Sequence, residues 1–443
     1  MPHLNTQTPT GGDVTQRRDL KPAFSDDLFE RVLQRDNILN AWQRVRANKG
    51  AAGIDGMTIN EFPAWAKQHW KTTVTDLNTG RYQPSPVRRV EIDKPDGGTR
   101  QLGIPTVVDR VIQQAIAQVL TPIFDPGFSN NSFGFRPRRN GQQAVKQVQG
   151  IIKEGRRFAV DVDLSKFFDR VNHDLLMTHL GRKVKDKRLL KLIKIYLRAG
   201  VIDNQFYIES REGVPQGGPL SPLLANIMLD PLDKELEKRE HKFARYADDF
   251  TILVKSQRAG ERVLRSISRY LQDRLKLVVN TTKSHVVKTN ESKFLGFTFR
   301  AGRIQWHPKT LLKFKQQVRR LTNRNWGVSM KYQLFKISQF IRGWINYFGI
   351  ANCYQLCVDM DHWIRRRVRM AYWRQWRKPR TKVRSLMRLG VHVRSAVACG
   401  ITSKGPWRSA KTPGIQQALS NTFLKSQGLY ALRDGWIKLH HSK

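Results

Sequence analysis

The segment that best predicts the architecture is KFARYADDFTILVK, from Lys242 to Lys255. Apolar and polar residues alternate on both sides of Asp248 and Asp249, which predicts two β-strands joined by a tight turn that carries both acids. An Asp-Asp pair in a turn often serves the turn alone, because aspartate bonds readily to nearby backbone. The pair indicates a functional site only if further acids are brought to the same turn.

An earlier segment supplies a second acidic strand. Residues 158–164 alternate between apolar side chains and a face that carries Asp161 and Asp163. Two neighbouring acids are unfavourable unless a cation or a hydrogen-bond donor lies between them. If both segments belong to one antiparallel sheet, Asp163 meets Asp248 and Asp249. Carboxylates are ligands that Mg²⁺ prefers, and two such ions can activate a 3′-hydroxyl and hold a leaving phosphate.

The charge balance points to a polyanionic partner. The chain has 443 residues, and 79 lysines and arginines against 36 acids give a formal net charge of +43. Such a chain repels itself unless a polyanion neutralises it, which favours nucleic acid over a small metabolite. A basic protein of the membrane surface is the weaker alternative, since no stretch approaches the ~18 apolar residues of a membrane span. We expect a cytoplasmic protein that does not bind membranes.

The three cysteines predict neither disulfides nor zinc. Cys353, Cys357 and Cys399 are too few for a disulfide framework. The spacing of Cys353 and Cys357 is poor for a zinc ribbon and places them one helical turn apart. Two cysteines buried in a core are the better interpretation.

The order of elements predicts an α+β fold. A hairpin is expected over residues 82–102, an amphipathic helix from Val108 until Pro122 stops it, and a strand over Lys293–Phe299. After Trp306 the strand signals fade, and tryptophan, arginine and lysine increase. We therefore predict a domain of antiparallel sheet and helices, followed by an all-α region.

Several motifs in one order resemble the group II intron-encoded reverse transcriptase/maturase family. The likeness runs from about residue 28 to residue 435. The matching segments are NKGAAGIDG (Asn48–Gly56), RRVEIDKPDGGTRQLGIPTVVDRVIQQAI (Arg88–Ile116), NSFGFRPRR (Asn131–Arg139), VDLSKFFDRVNH (Val162–His173), GVPQGGPLSPLLANI (Gly213–Ile227), RYADDF (Arg245–Phe250), FLGF (Phe294–Phe297) and GWINYF (Gly343–Phe348).

The resemblance implies a right-hand polymerase with fingers and palm, an all-α thumb/maturase domain and a short basic C-terminal region. The expected segments are an N-terminal extension with the start of the fingers (1–80), fingers and palm (81–303), thumb/maturase (304–400) and a C-terminal region resembling a DNA-binding module (401–443). Members with an endonuclease carry a further metal module that bears His and Cys. This sequence has no matching set of cysteines, so the resemblance implies a form without the endonuclease. Such a form would depend on an existing DNA 3′ end as primer.

The resemblance also assigns the acids. Asp163 takes the metal position of D-x-x-x-F-F-D, and Asp161 becomes an auxiliary or structural acid. Asp248 is the second expected ligand, with Asp249 beside it as a less direct one. The implied catalytic residues are Asp163, Asp248 and Asp249, and these with Leu164 form the implied binding site for two Mg²⁺ ions.

Five residues are implied to contact the incoming nucleotide. Lys94 and Arg100 would grip the triphosphate, as a point charge and a planar fork suit that task, although they could also be solvated hairpin charges. Phe168 would be a steric gate against the ribose 2′-hydroxyl, but packing alone would also explain a phenylalanine. Gln216 would touch the nucleotide, and Lys283 would contact the triphosphate or primer, unless it is a surface lysine.

Nucleic-acid contacts are expected from a further set of cations. Arg136, like Arg110, would anchor the template-side fold or phosphates, or be satisfied by a local carboxylate such as Asp109. The basic run in the C-terminal third is expected to neutralise RNA phosphates. Its main members are Arg365, Arg366, Arg367, Arg369, Arg374, Arg377 and Lys378. The tryptophans and tyrosines among them are expected to pack helices more than to stack on bases.

The implied function is RNA-directed DNA synthesis together with splicing assistance. The partners would be the group II intron RNA, a DNA primer or target, and deoxynucleoside triphosphates. Two rivals remain: a maturase with a vestigial polymerase, against which the intact YADD and Asp163 argue, and a domesticated polymerase of host repair or defence.

Overall fold

A computed structural model describes residues 27–93, 99–203, 206–209 and 212–441. These residues form ten strands, numbered here in chain order: β1 Val87–Asp93, β2 Thr99–Ile104, β3 Phe158–Val162, β4 Val201–Asp203, β5 Phe206–Ile208, β6 Lys242–Tyr246, β7 Asp249–Val254, β8 His285–Lys288, β9 Phe297–Arg300 and β10 Arg303–Trp306.

Helices make up most of the remaining described chain. They are α1 Leu28–Leu33, α2 Arg35–Ala47, α3 Phe62–Thr79, α4 Val107–Phe124, α5 Gly141–Lys153, α6 His173–Gly181, α7 Lys187–Arg198, α8 Ser221–Lys238, α9 Gln257–Leu275, α10 Pro308–Leu321, α11 Met330–Phe348, α12 Tyr354–Gln375, α13 Pro379–Arg388, α14 Val393–Gly400, α15 Pro406–Ser409, α16 Pro413–Ala418, α17 Asn421–Ser426 and α18 Leu432–His441. Over the described chain, no helix is long and apolar enough to cross a membrane.

The chain forms two compact units. The first contains the described residues up to Phe128 together with Lys166–Asp230, and the second contains Ser129–Ser165 and everything from Pro231 onward. The predicted class, an α+β fold with an all-α continuation, is confirmed. The finer predicted boundaries at residues 80, 303 and 400 stay predictions.

The first unit is built on a mixed four-stranded sheet in the order β2-β1-β4-β5. The hairpin of β1 and β2 pairs Arg88 with Ile104 and Asp93 with Thr99, as its alternation predicts. The long helix α4 lies in the core of this unit, and the hydroxyl of Thr106 caps its first turn. The predicted stop at Pro122 is wrong, because α4 continues through this proline to Phe124.

The second unit contains the antiparallel sheet β6-β7-β3-β8, in which β3 lies between two strands that follow it in sequence. One hydrophobic cluster joins this sheet to the C-terminal helices. It includes Leu253 of β7, Phe297 of β9, Phe314 of α10 and Trp373 of α12. The sheet and the helical region therefore share a core, although the composition changes sharply between them.

The FLGF motif forms a turn where a strand was expected. Phe294 and Phe297 bond to each other through their backbones, and β9 begins only at Phe297. Gly296 has φ +87°, and a Cβ there would lie 3.1 Å from the ring of Phe348. The backbone of this turn therefore approaches α11 closely at Gly296.

The helical region after Trp306 also confirms the interpretation of its cysteines and aromatic residues. Cys353 and Cys357 are buried, with their sulfur atoms 3.7 Å apart. Tyr372 and Trp373 are buried in the core. Asp361, the single acid of the basic run, accepts hydrogen bonds from the backbone N–H groups of Leu432 and Arg433 and thereby caps α18.

Candidate active site

The strand register of the second unit brings the predicted acids to one edge of the sheet. On β3 and β7, Val162 pairs with Phe250 and Asp161 pairs with Thr251. Continuing this register by one residue places Asp163 at the level of Asp249. Asp248 lies in the two-residue turn between β6 and β7, since Tyr246 pairs with Asp249. The acids of the two segments therefore meet as the alternation predicted.

A buried ion pair stabilises the turn between β6 and β7. Both the Nε and the Nη2 of Arg245 donate to the carboxylate of Asp233, at 2.7 and 2.5 Å, and both side chains are fully buried. The Nη1 of the same guanidinium donates to the carbonyl of Ala247 at 2.9 Å. Ala247 has φ +58°, a conformation that costs energy in a residue other than glycine. Arg245 therefore stabilises a strained turn next to Asp248.

Gly134 lies directly against the same turn. A Cβ at Gly134 would lie 2.3 Å from the backbone nitrogen of Ala247, whereas a Cβ at Gly150 would meet nothing within 4 Å. We expect Gly134→Ala to displace the turn, to lower the free energy of unfolding by about 1–3 kcal/mol and to reduce any activity that depends on Asp248. Gly150→Ala, inside helix α5, is the matched control and should stabilise the protein by about 0.5–1 kcal/mol. Urea denaturation of both variants checks this prediction, and equal stabilities would contradict it.

The acids line a recess of about 440 Å³, and three exposed lysines form its basic rim. The side chains that line it are Asp161, Asp163, Asp248, Asp249, Lys283, His285, Glu291, Lys293, His307 and Lys309, with Val162 between the acids. Lys283, which the sequence left between a nucleotide contact and a surface lysine, is exposed and lies on this rim. Sequence reasoning missed Lys293 and Lys309. Lys293 directly precedes the FLGF motif, and this position was the one available signal.

Crowding of carboxylates shows in the pKa of Asp249. Burial beneath the surrounding chain raises this pKa to about 7, and the charges of Asp161, Asp248 and Asp163 add to the rise while Lys293 opposes it. Asp249 nevertheless keeps contact with solvent, because it occupies the exposed first position of β7. A bound cation would offset the repulsion from the neighbouring carboxylates and so lower the pKa of Asp249 again.

Asp161 and Asp163 differ in their surroundings. Asp161 accepts a hydrogen bond of 2.9 Å from the hydroxyl of Ser292, and burial raises its pKa. Asp163 follows the end of β3, where its backbone N–H donates to Ser284 Oγ and its carbonyl accepts from Asn280. The backbone of Asp163 is thus fixed while its half-buried side chain lines the recess. This arrangement suits a structural Asp161 and a ligand-bearing Asp163.

The donor set fits a hard divalent cation in chemical type. Four aspartates and Glu291 line one recess, and the mutual repulsion of the aspartates is what such a cation would relieve. Among the described residues, no three His, Cys, Asp or Glu side chains already stand in the arrangement of a metal site. Leu164 could contribute only its backbone carbonyl, because its side chain is apolar and buried.

The first unit holds the other expected nucleotide contacts. Gln216 accepts a hydrogen bond from Gly103 of β2 through its backbone carbonyl, and Val214 of the same loop donates to the carbonyl of Phe168. The loop therefore links the Phe168 turn to the strand that carries Arg100. Phe168 is buried against Phe167, with ring centroids 5.1 Å apart. Lys94 lies outside the described residues, and for Arg100 the description covers the backbone only.

Two arginines that were candidates for phosphate contact hold backbone instead. Arg136 is buried and donates from Nη1 to the carbonyls of Ser129 and Ser132. Arg110 is also buried, and its guanidinium donates to the carbonyls of Ala51 and Pro105. For Arg110, these bonds go to backbone carbonyls and not to a carboxylate such as Asp109. Both arginines stabilise loops, which the sequence pattern does not distinguish from phosphate binding.

The basic run of α12 divides into two groups. Arg366, Arg367 and Arg369 are half-buried and bond within the protein, to the carbonyl of Trp407, to Thr322 Oγ1, and to Leu419 and Asn421. Burial lowers the pKa of Arg367 and of Arg369. These three serve helix packing first, which corrects the expectation that the whole run faces RNA. The second group is Arg365 and Arg374, which are half-buried, and Arg377 and Lys378, which follow the end of α12 and are exposed.

Comparison with known families agrees with the site. Residues 92–299 match the model for reverse transcriptase (RNA-dependent DNA polymerase), and residues 311–390 match the maturase-specific domain of group II introns. The chain belongs to the group II intron-encoded reverse transcriptase/maturase family. The acids of β3 and of the β6–β7 turn lie inside the reverse transcriptase match, so its catalytic class is RNA-directed DNA polymerase.

Individual relatives of this reverse transcriptase/maturase cover it to different extents. Protein YkfC of Escherichia coli K12 is 32% identical over 317 residues, which are 62% of this chain and 82% of YkfC. Group II intron-encoded protein LtrA of Lactococcus lactis subsp. cremoris is 37% identical over 219 residues, 49% of this chain, and the chain spans only 36% of LtrA. A chain of a partial Cas6-RT-Cas1–Cas2 complex is similar over 58% of this chain and 43% of its own length, at 28% identity and a TM-score of 0.37.

Proposed function

We propose that this chain extends a DNA 3′-hydroxyl on an RNA template and also binds the group II intron RNA to assist its splicing. The observation that carries the polymerase part is the acidic recess, in which the register of β3 and β7 brings Asp163 to the level of Asp249 beside Asp248. The proposed substrates are deoxynucleoside triphosphates and a DNA primer, and the proposed cofactor is Mg²⁺, as two ions. The proposed compartment is the cytoplasm.

The residues of the recess divide the work by charge. Asp163, Asp248 and Asp249 would hold Mg²⁺, with Leu164 offering a carbonyl, and the ions would supply activation of the 3′-hydroxyl and stabilisation of phosphate charge. Lys283, Lys293 and Lys309 on the rim orient the triphosphate or the primer phosphates by charge. By resemblance to the family, Arg100 and Lys94 would serve the triphosphate, Gln216 would contact the nucleotide, and Phe168 would exclude the ribose 2′-hydroxyl.

The splicing role rests on the charge of the helical region. Residues 308–441 contain 27 lysines and arginines and three acids, Asp359, Asp361 and Asp434. Such a surface attracts RNA through its phosphates and releases counterions when RNA binds. Assistance of this kind needs no chemistry from the protein. It therefore separates from the acidic recess in experiment.

Primer extension tests the polymerase part directly. The purified chain is expected to extend a DNA primer on an RNA template with Mg²⁺, and chelation of the metal should remove the synthesis because the carboxylates alone do not activate the hydroxyl. Re-addition of Mg²⁺ is the control and should restore extension. Synthesis that persists under chelation would contradict the metal assignment. Absence of synthesis under every condition, with retained RNA binding, would favour the rival reading as a maturase alone.

A further inference from the structure

A recess in the helical region lies outside the acidic site. It has a volume of about 740 Å³ and lies between the connection of α10 to α11 and the C-terminal end of α12. The amide of Gln375 donates to the carbonyl of Val328 and ties these two segments together. The residues that line it are Thr322, Asn323, Arg324, Asn325, Trp326, Gly327, Val328, Gln333, Ala371, Arg374, Gln375, Arg377 and Pro406.

Positive charge dominates this recess. Arg324, Arg374 and Arg377 line it, and no acid does. Burial lowers the pKa of the nearby Arg367, and the charges of Arg319 and Arg374 lower it further because these guanidinium groups repel one another. An anion entering the recess would relieve this repulsion.

The three acids of residues 308–441 are engaged elsewhere. Asp359 accepts from the Gln355 amide, and Asp361 caps α18. Asp434 pairs with Arg433 and Lys425. The carboxylates of this region are therefore committed to other cations and donors, and none of them lines the recess.

Aromatic rings continue from the recess onto α11. Trp326 lies 6.0 Å from Tyr332, and Tyr332 lies 6.5 Å from Phe335, measured between ring centroids. Tyr332 is 45% exposed and Phe335 is 55% exposed. The ammonium of Lys336 lies 5.6 and 5.7 Å from these two rings. Rings next to cations along one path are the pattern that binds single-stranded nucleic acid, since any base can stack on them.

One buried hydrogen-bond acceptor among the residues that line the recess lacks a donor. Gln333 is 3% exposed, and its Nε2 donates to the carbonyl of Leu321 at 2.8 Å. Its Oε1 has no hydrogen-bond partner among the described residues. A buried acceptor without a donor is unfavourable. An occupant that brings a donor, such as a ribose hydroxyl or an exocyclic base amine, would satisfy it after a small shift of the side chain.

We propose that this recess binds one unpaired RNA nucleotide and its flanking phosphates. Arg374 and Arg377 hold the phosphates, Trp326 stacks on the base, and Gln333 Oε1 accepts from the nucleotide. The inference rests on the proposed RNA binding, which it narrows to a defined site. It is independent of polymerase chemistry, because none of these residues lines the acidic recess.

Fluorescence anisotropy with a labelled single-stranded RNA of mixed sequence tests the site in the full chain. The Arg374→Ala/Arg377→Ala double variant should bind at least about tenfold more weakly, and its log–log salt slope should be shallower by about 1.4, or 0.7 for each lost phosphate contact. Trp326→Ala should weaken binding about tenfold with an unchanged slope. The matched control is Arg380→Ala/Arg388→Ala, which removes two exposed charges of α13 and should cost far less affinity than the recess variant, because these charges add only to the general attraction of the region for RNA.

Several outcomes decide the matter. Equal losses in the recess and α13 double variants would overturn the site while leaving general RNA binding intact. Failure of the native chain to bind RNA would overturn both this inference and the splicing part of the proposed function. Weaker binding of a matched DNA assigns the donor to the 2′-hydroxyl, and weaker binding of uracil than of cytosine assigns it to the base amine. If neither effect is observed, the role of Gln333 is overturned.

Photocrosslinking tests the same site in the native protein, so the result does not depend on whether the variants fold. RNA that carries 4-thiouridine should crosslink to the α10–α11 connection at or beside Trp326, as read by mass spectrometry of the peptides. Crosslinks confined to other regions would overturn the proposal.

Discussion

Asp248→Ala is expected to abolish primer extension on RNA, by about a thousandfold or more, because several kcal/mol of charge stabilisation depend on the metal that this carboxylate would hold. The turn itself should survive, since the bond from Arg245 to the carbonyl of Ala247 does not require the side chain of Asp248. The change also removes one of the charges that raise the pKa of Asp249. Primer extension at matched protein concentration measures the effect.

Two comparisons make the Asp248→Ala result specific. Asp273→Ala removes an exposed acid from α9 of the same unit and should leave extension unchanged. RNA binding by Asp248→Ala should equal that of the native chain, because the helical region carries that role. Extension by Asp248→Ala at more than about a tenth of the native rate would remove this aspartate from the metal site.

Asp233→Ala is expected to cost about 3–5 kcal/mol of the free energy of unfolding, because it leaves the guanidinium of Arg245 buried without its counter-charge. Both side chains of the pair are fully buried, so bulk solvent does not replace the lost carboxylate. Urea denaturation measures the loss. The same helix offers a matched control, Glu235→Ala, which breaks the more exposed pair with Arg239 and should cost less than about 1 kcal/mol. Equal losses in the two variants would contradict the argument.

A double replacement separates stability from support of the turn. Asp233→Leu with Arg245→Leu removes both charges together, and buried pairs replaced in this way often regain stability. The carbonyl of Ala247 would still lose its donor. We therefore expect a folded protein with reduced primer extension, whereas full activity would show that the turn needs no such support.

Alternation along the chain was sufficient to predict two strand segments that carry acids, and their meeting followed only if both segments belonged to one antiparallel sheet. A strand has a period of two, so the acidic face of residues 158–164 and the turn at Asp248 could be read without knowledge of the partner strands. The register that brings Asp163 level with Asp249 is a property of pairing, and it required the structure. Asp233 gave no signal at all, because a single acid in a helix has the same pattern whether it is solvated or buried against an arginine.

The arginines of α12 show where composition misleads. A run of four arginines within five residues covers more than one face of a helix, so some must point toward neighbouring elements. Arg366, Arg367 and Arg369 take that role, while Arg374 and Arg377 line the recess at the helix end. Charge predicted the class of partner, and helix geometry decided which cations can reach it.

The central position of β3 in its sheet has a consequence for synthesis of the protein. Both neighbours of β3 are translated after it, and the second, β8, ends only at Lys288. Until that residue has left the ribosome, the strand that leads to Asp163 has an unpaired edge, and unpaired edges are open to aggregation. Pairing over such sequence distances is slow. A nascent chain halted before β8 should therefore be sensitive to protease at β3, and protection there should arise only once β8 has emerged.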